Sequence, residues 1–340
     1  LSGTFFDLSK PGRRDGILHA VYGGMFGKKN DRVLSPHPNT GGLLPIVTQM
    51  GSAAPSGVVM AKSDAHGLRG DLFCADFNLR RISRHQLSKD GSSYRAVTSS
   101  FLESDQSDFH PTDVIEDADG SLLIADTGSW YMICCPTSKV AKPHVLGAIY
   151  RLEKKDSPAP KDPRGLELDW EQPQVSWLAD PRPALVRRAI DALASEDNIT
   201  ALRAAEARIP ALWALHRIPG PAARQAVREF LKDEDLDVRV AALRSVGLWR
   251  DEGAVVAVRR LLTGEAQQSR LAAMALGRIG HTSAIEPLLA AGAKEVDPFL
   301  RHAIVYALYE LAHAANIPEG SPIADQVRLM HEVKQRHAPP

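Results

Sequence analysis

A histidine and an aspartate stand close together in the segment His110-Pro111-Thr112-Asp113. The imidazole of His110 could act as a general base, and the carboxylate of Asp113 could accept a hydrogen bond or bind a cation. Asp126, which follows an apolar run, could be a ligand in the same way. The alternative for these three residues is structural, because Asp side chains often cap turns and a histidine can be held in a hydrogen-bonded turn. We favour that alternative.

Basic side chains form a second candidate site. Arg80, Arg81, Arg84 and His85 lie on a predicted strand and its approach, where they could bind an anion. The alternative is an exposed strand face, which the alternation of residues along 81–87 favours.

The three cysteines are the third candidate. Cys134 and Cys135 are adjacent and could form a strained vicinal disulfide, pair with Cys74, or supply thiolates to a metal. The chain contains no Cys-x-x-Cys and no Cys-x-x-Cys-His, which excludes a zinc ribbon and a covalent c-type haem for this chain. The acidic stretch 105–119 lacks the spacing of a calcium loop, so we predict no metal site.

The charge balance excludes several partner classes. Of 41 basic and 41 acidic side chains in 340 residues, the first 150 residues carry 15 of each, so neither half is basic. A nucleic-acid or anionic-membrane partner has no electrostatic support. No run of about 18 apolar residues predicts a membrane-spanning helix. The first residues lack an initiator Met and a signal peptide, so we expect that residue 1 is not a natural start.

The candidate site residues of the first half stand in a β-rich repeat. Residues 70–77 match residues 120–127 at an offset of 50, and a similar opening precedes each copy, with six extra residues in the first. Repeats of about 50 residues built from some four strands are typical of β-propeller blades. Residues 17–24 could be outer strands of a third unit, and residues 145–152 form a further strand. The first half is thus predicted to be about half a propeller ring, with a smaller open β-sheet domain as the alternative.

The second half has helical periodicity. Four arginines recur at intervals of 31 residues, and each precedes a helix rich in small residues: Arg208, Arg239, Arg270 and Arg301. Two short helices fill each interval and can bury their apolar sides only by stacking, as in HEAT-like repeats. We expect the arginines to bridge neighbouring repeats or to cap carbonyl groups. The predicted organisation is partial propeller blades over 1–152, a linker over 153–179, and HEAT-like repeats over 180–337, ending in a capping helix from Pro322.

The succession of motifs resembles a bacterial protein family. Residues 109–114, 117–123, 126–131, 134–137 and 146–151, followed by helical repeats, are similar to large multidomain proteins of planctomycetes and verrucomicrobia. These are labelled membrane-bound dehydrogenase-domain or PVC-type haem-binding proteins. The resemblance implies a propeller similar to glucose/sorbosone dehydrogenases and NHL folds. It also implies an extracytoplasmic location and, in a longer parent protein, pyrroloquinoline quinone (PQQ), calcium or haem c as cofactors.

Two functions follow as hypotheses. In the first, the chain binds ligands and acts as a scaffold without catalysis, and its solenoid docks a protein partner or the parent's own cytochrome domain. In the second, it is part of a quinoprotein dehydrogenase that oxidises a sugar or alcohol bound at the propeller and passes electrons to that cytochrome. Fold alone does not decide between them.

Overall fold

The computed structural model describes residues 2–3, 14–27, 31–64, 66–128, 144–156, 160–311, 317 and 320–337. Within these residues a β-rich half is followed by a helical half, as the composition predicts. The last strand ends at Leu152, and the first α-helix of the helical half begins at Pro183.

Three antiparallel sheets make up the β-rich half. Their strands are β1 Ser2–Gly3, β2 Asp15–Ile17, β3 Thr48–Gly51, β4 Pro55–Met60, β5 Leu72–Asp76, β6 Arg81–Asp90, β7 Ser93–Glu103, β8 Pro111–Glu116, β9 Leu122–Asp126 and β10 Ala148–Leu152. The sheets have the orders β1-β2-β3, β4-β5-β6-β7 and β10-β9-β8. Consecutive strands are neighbours in every sheet, and short turns connect β5 to β6, β6 to β7 and β8 to β9.

The sequence repeat corresponds to equivalent strands. β5 (Leu72–Asp76) and β9 (Leu122–Asp126) stand 50 positions apart and each is the second strand of its sheet. The tight turn before β9 is made by Asp119 and Gly120, and Gly120 has a φ of 88°. β4 and β8 contact each other, so the repeated units lie side by side.

Two apolar cores separate the three sheets. One lies between the first and second sheets around Ile17, Met50 and Cys74. The other, around Phe73 and Ile124, lies between the second and third sheets. Alternate residues of β5 enter opposite cores, because successive side chains of a strand point to opposite faces.

The described sheets do not close into a ring. The prediction of an antiparallel β-rich half is confirmed, whereas these sheets do not show a propeller. The expected strands over residues 17–24 are wrong, since only Ile17 belongs to a strand and its sheet is completed by Thr48–Gly51. Residues 18–22 instead leave the sheet and run towards the helices.

The helical half is a stack of short helices. After a short helix α1 Asp31–Leu34 in the first half, the helices are α2 Pro183–Ala192, α3 Ile199–Ala204, α4 Arg208–Arg217, α5 Pro221–Glu229, α6 Leu236–Trp249, α7 Val255–Arg260, α8 Ala266–Ile279, α9 Ile285–Gly292, α10 Pro298–Leu311 and α11 Pro322–Arg336. The expected capping helix is α11, and the hydroxyl of Ser321 caps it by accepting from the Ala324 N–H.

Alternate helices form two layers. We call α4, α6, α8 and α10 the inner layer, because the β-rich half packs against it; α5, α7, α9 and α11 form the outer layer. Gly247 of α6 and Gly277 of α8 allow the inner helices to approach closely. An added Cβ at Gly277 would stand 2.7 Å from the Ala307 Cα, and one at Gly247 would stand 3.1 Å from the Ala275 Cα.

One apolar core runs through the whole stack, from Leu178 to Met330. Leu178 belongs to a short 3-10 helix, Val175–Ala179, within the predicted linker. Among the helices that the structure describes, none has the length and apolar character needed to cross a membrane.

Candidate functional site

His110 and Asp126 are neighbours in one turn of the third sheet. The Asp126 carboxylate accepts from the backbone N–H groups of His110 and Gly128, both at 2.8 Å. The His110 ring packs against Phe77 and bonds through Nδ1 to the Gly128 carbonyl at 2.8 Å. A carbonyl only accepts, so Nδ1 carries the proton. Both side chains therefore hold the turn together, as the structural interpretation expects.

Asp113 and Arg80 lie elsewhere. Asp113 is exposed and accepts from the Val114 N–H at 2.9 Å. Arg80 has a φ of 53° and ends a short 3-10 helix. Among these candidates only Asp126 lines the cavity of about 590 Å³ beside β9 and β10. The described residues thus do not bring the four candidates together as a cradle for a quinone or calcium, and we derive no reaction step through either.

The candidate anion site on β6 stays a prediction, and two of its arginines already pair with carboxylates. Arg81 pairs with Asp76 at 2.7 Å, and the guanidinium of Arg84 pairs with Asp71. His85 is fully buried. The alternating pattern placed these residues on a strand correctly, but the face that carries Arg81 and His85 is covered by the first sheet.

A series of hydrogen-bonded side chains crosses this buried face. Ser83 donates to the Asp76 carboxylate at 3.0 Å and bonds to His85 Nε2 at 3.0 Å, while His85 Nδ1 bonds to Thr98 at 2.9 Å. Because Ser83 gives its proton to a carboxylate, His85 Nε2–H must donate to Ser83, and Nδ1 must accept from Thr98. Thr98 in turn bonds to Thr48 of the first sheet.

Burial determines the protonation states of these side chains. Desolvation, followed by the charge of Arg81, lowers the pKa of His85 to about 4. Desolvation also raises the pKa of Asp76, against the opposing effect of Arg81. A neutral imidazole is consistent with a structural role for these hydrogen-bonded side chains, which join the first and second sheets. The link between Asp76 and His85 is not visible in the sequence, because their pairing depends on strand register.

The structure describes one of the three cysteines. Cys74 is buried between the first and second sheets, and its thiol contacts the Ala75 carbonyl. Cys134 and Cys135 lie outside the described residues. Among the residues that are described, no three His, Cys, Asp or Glu side chains are grouped as a metal site.

The recurring arginines perform the expected structural role in two repeats. Arg208 donates to Asp233 of the next repeat at 3.0 Å and to the Arg203 carbonyl at 2.7 Å. Arg239 donates to Gln268 of the next repeat at 2.7 Å and to the Asp233 carbonyl at 2.8 Å. Each guanidinium thus bridges repeats and caps a carbonyl, as predicted from the period of 31.

Arg270 departs from this pattern. It is 3% exposed, and its Nε donates to the Ser92 carbonyl at 2.8 Å. Ser92 lies in the hairpin tip, residues 90–93 between β6 and β7, and its hydroxyl donates to Asp297 at 2.6 Å. Burial, followed by the charge of Arg244, lowers the pKa of Arg270 to about 10. The β-rich half is therefore docked on the inner layer through a buried guanidinium.

The N-terminal segment, residues 19–26, forms the second part of this junction. His302 accepts from Thr40 at 2.8 Å and donates through Nε2 to the Tyr22 carbonyl at 2.9 Å. Gly23 has a φ of 73° and lies so close to the ring of Tyr306 that a Cβ could not be accommodated. Glycine is required here both for the backbone conformation and for the close approach.

Side chains of the helical half recognise the main chain of the β-rich half. Four of them donate to its backbone carbonyl groups: Gln267 to Ser93 at 3.3 Å, Arg270 to Ser92 at 2.8 Å, His302 to Tyr22 at 2.9 Å and Gln326 to Asn39 at 2.8 Å. The inner layer and α11 thus already bind main-chain carbonyl groups of the β-rich half.

Next to this junction the inner layer has an open pocket of about 350 Å³, which we call the inner pocket. Its apolar wall is formed by Trp213, Leu243, Leu248, Leu271 and Met274. Tyr22 closes one side, so the docked N-terminal segment is itself part of the wall. Leu248 is 54% exposed, which is a large exposure for a leucine that lines a pocket.

Two guanidinium groups border the inner pocket. Arg244 is exposed, and among the described residues it forms no ion pair. The Arg278 guanidinium lies 4.6 Å from the centre of the Tyr22 ring. Within the part of the chain that the structure describes, its Nε is buried without a hydrogen-bond partner. Because neither guanidinium forms an ion pair within the described residues, the border of the pocket presents positive charge.

The inner pocket arises from one irregularity in the repeat. Positions 31 residues apart on the inner helices carry Trp213, Arg244, Ala275 and Tyr306. Ala275 is much smaller than its equivalents and stands beside Gly247 in the wall, so it leaves space between neighbouring repeats. The expectations drawn from the sequence rest on the register of Arg208, Arg239, Arg270 and Arg301 and miss this one, although the same period could have shown it.

Comparison with known families agrees with the helical half. Residues 270–291 match the model of the PBS lyase HEAT-like repeat. The match covers the region from α8 to α9, that is, one helix of each layer. The helical half therefore contains a HEAT-like repeat. No curated protein matches the sequence.

Proposed function

We propose that this chain is a protein-interaction scaffold in which a HEAT-like solenoid binds polypeptide along its inner layer. One region of that layer holds the chain's own β-rich half, and the adjoining inner pocket takes a partner. The observation that carries the proposal is the open apolar pocket next to a junction at which four side chains of the helical half already hydrogen-bond main-chain carbonyl groups.

A selection from a random peptide display library on the whole chain tests this function. Peptides that bind the inner pocket should lose at least about fivefold in affinity, or roughly 1 kcal/mol, when Leu248→Gln removes exposed apolar surface from the wall. Val256→Gln is the matched control, since Val256 is 62% exposed on the outer layer. Absence of any peptide that distinguishes these two variants would contradict the proposed function.

The resemblance of residues 109–151 supports a narrower version of the proposal. In that version the chain is a segment of an extracytoplasmic multidomain protein with a dehydrogenase-like propeller, and the solenoid binds the parent's cytochrome domain. A carbohydrate at the propeller, and PQQ, calcium or haem c in the parent, remain predictions.

The alternative function is part of a quinoprotein sugar or alcohol dehydrogenase, and only the same resemblance favours it. A dye-reduction assay with added quinone and calcium across a sugar panel tests it on the full-length protein. Activity that disappears without quinone would support the enzyme, and uniform inactivity would count against it.

A further inference from the structure

We propose that the inner pocket binds an acidic peptide segment of a partner protein, with a carboxylate side chain next to a large apolar one. This inference rests on the proposed function and specifies the chemistry of the partner. It follows from three features of the pocket, which are its wall, its charges and its position beside the junction.

The wall specifies an apolar side chain. Leu243, Leu271 and Met274 form an apolar surface between α6 and α8, and Trp213 of α4 extends it. A volume of about 350 Å³ has room for one large side chain together with a short piece of main chain. Burial of such a side chain contributes roughly 1.5–3 kcal/mol.

The border specifies a negative charge. Arg244 and Arg278 stand one helix apart on the border, and neither forms an ion pair within the described residues. A carboxylate is the natural acceptor for a guanidinium, whose planar donors match its two oxygens.

The other charged groups leave this border positive. The positive charge of Arg270 also interacts with Arg244, but the Arg270 guanidinium donates to the Ser92 carbonyl in the hairpin tip. Glu310 is the acidic group that interacts with Arg278, Tyr22 and Arg250. Asp297 is a second carboxylate, which acts on Arg270. These two carboxylates are outnumbered by the guanidinium groups of Arg244, Arg250, Arg270 and Arg278, so electrostatic complementarity favours an acidic occupant.

The position of the pocket favours a peptide as the occupant. Tyr22 belongs both to the pocket wall and to the junction, where its carbonyl accepts from His302. The pocket thus continues a surface on which main chain is already bound by side-chain donors. A second polypeptide segment can lie beside Tyr22 without displacing the docked β-rich half.

The peptides recovered from the random display library are the probe. We expect them to be enriched in Asp and Glu over the input library. Arg244→Gln and Arg278→Gln should each weaken their binding by about tenfold or more, since a charge-assisted hydrogen bond contributes roughly 1.5–3 kcal/mol. Arg260→Gln is the control, because Arg260 is exposed on outer helix α7 and should leave binding unchanged.

Three outcomes would overturn the inference. Neutral or basic peptides that still depend on Leu248 would remove the acidic partner but leave the proposed function standing. Acidic peptides weakened equally by Arg260→Gln would show unspecific attraction to a basic surface. A selection without any Leu248-dependent peptide would remove both this inference and the proposed function.

Discussion

The β-rich half and the helical half differ in what they do with polar side chains. In the β-rich half, Asp76, His85 and Asp126 all form hydrogen bonds with other residues of the protein. Asp76 and His85 belong to the buried hydrogen-bonded series between the first and second sheets. On the inner layer, Arg244 and Arg278 border an open pocket without ion pairs among the described residues. The difference teaches that residue types suited to chemistry can hold a β-rich half together, whereas the binding site that we propose lies in the helical repeats.

The largest expected effect concerns the buried histidine of the β-rich half. His85 is neutral in the folded chain with a pKa of about 4, against about 6.5 when unfolded. The unfolded chain therefore binds the extra proton as the pH falls from 6.5, and stability decreases until about pH 4. The expected loss is on the order of 3 kcal/mol.

Urea unfolding across this pH window measures the effect. His85→Gln should reduce the pH dependence, and the remainder comes from other buried histidines such as His19, whose pKa burial also lowers to about 4. His37→Gln should leave the pH dependence unchanged, because His37 is exposed. An equal slope in wild type and His85→Gln would show that His85 is not held neutral by burial, and would weaken the contrast between the two halves.

The next effect compares two carboxylates of the β-rich half. Asp76→Ala should lower the free energy of unfolding by about 2 kcal/mol, since it leaves Arg81 and Ser83 without their carboxylate. Asp113→Ala should cost less than about 0.5 kcal/mol, because Asp113 is exposed. Chemical denaturation of both variants measures these free energies of unfolding, and similar losses would contradict a stabilising role of the Asp76 carboxylate.

A smaller effect tests how closely the inner helices pack. Gly277→Ala should cost about 1–2 kcal/mol, because its Cβ would stand 2.7 Å from the Ala307 Cα. Gly247→Ala should cost less, because its Cβ would stand 3.1 Å from the Ala275 Cα. Thermal unfolding of the two variants gives the comparison, and the reverse order would be inconsistent with the described helix spacing.

The smallest effect concerns the junction between the halves. Asp297→Ala removes the acceptor of the Ser92 hydroxyl and N–H and of the Phe299 N–H, at a cost of about 1 kcal/mol. Asp237→Ala is the control, since its pair with Lys89 is exposed and contributes little. Faster hydrogen exchange of the Ser92 amide is expected only for Asp297→Ala, and unchanged exchange would argue against a docked hairpin tip.

The sequence predicts the two classes of structure for clear physical reasons. The offset of 50 residues identifies β5 and β9 because hairpin repeats leave apolar runs and turn residues in sequence. The period of 31 identifies the inner helices and the structural role of Arg208 and Arg239. Both signals are local, so a single sequence carries them.

The candidate site was less predictable because it depends on contacts between distant residues. His85 was predicted to lie on a strand, but its burial depends on a sheet formed by residues 48–51. Arg270 follows the period of its equivalents, yet a hairpin tip more than 170 positions earlier takes its guanidinium. The inner pocket needs Tyr22 from the first half, which no pattern in the repeats shows.

The most direct test of the account is the hydrogen-exchange footprint of a library-selected peptide on the whole chain. The account predicts protection on α6 and α8 around Leu248 and Met274, with no change on β8 and β9 around Asp113 and Asp126. Protection confined to β8 and β9 would place binding in the β-rich half and contradict the account.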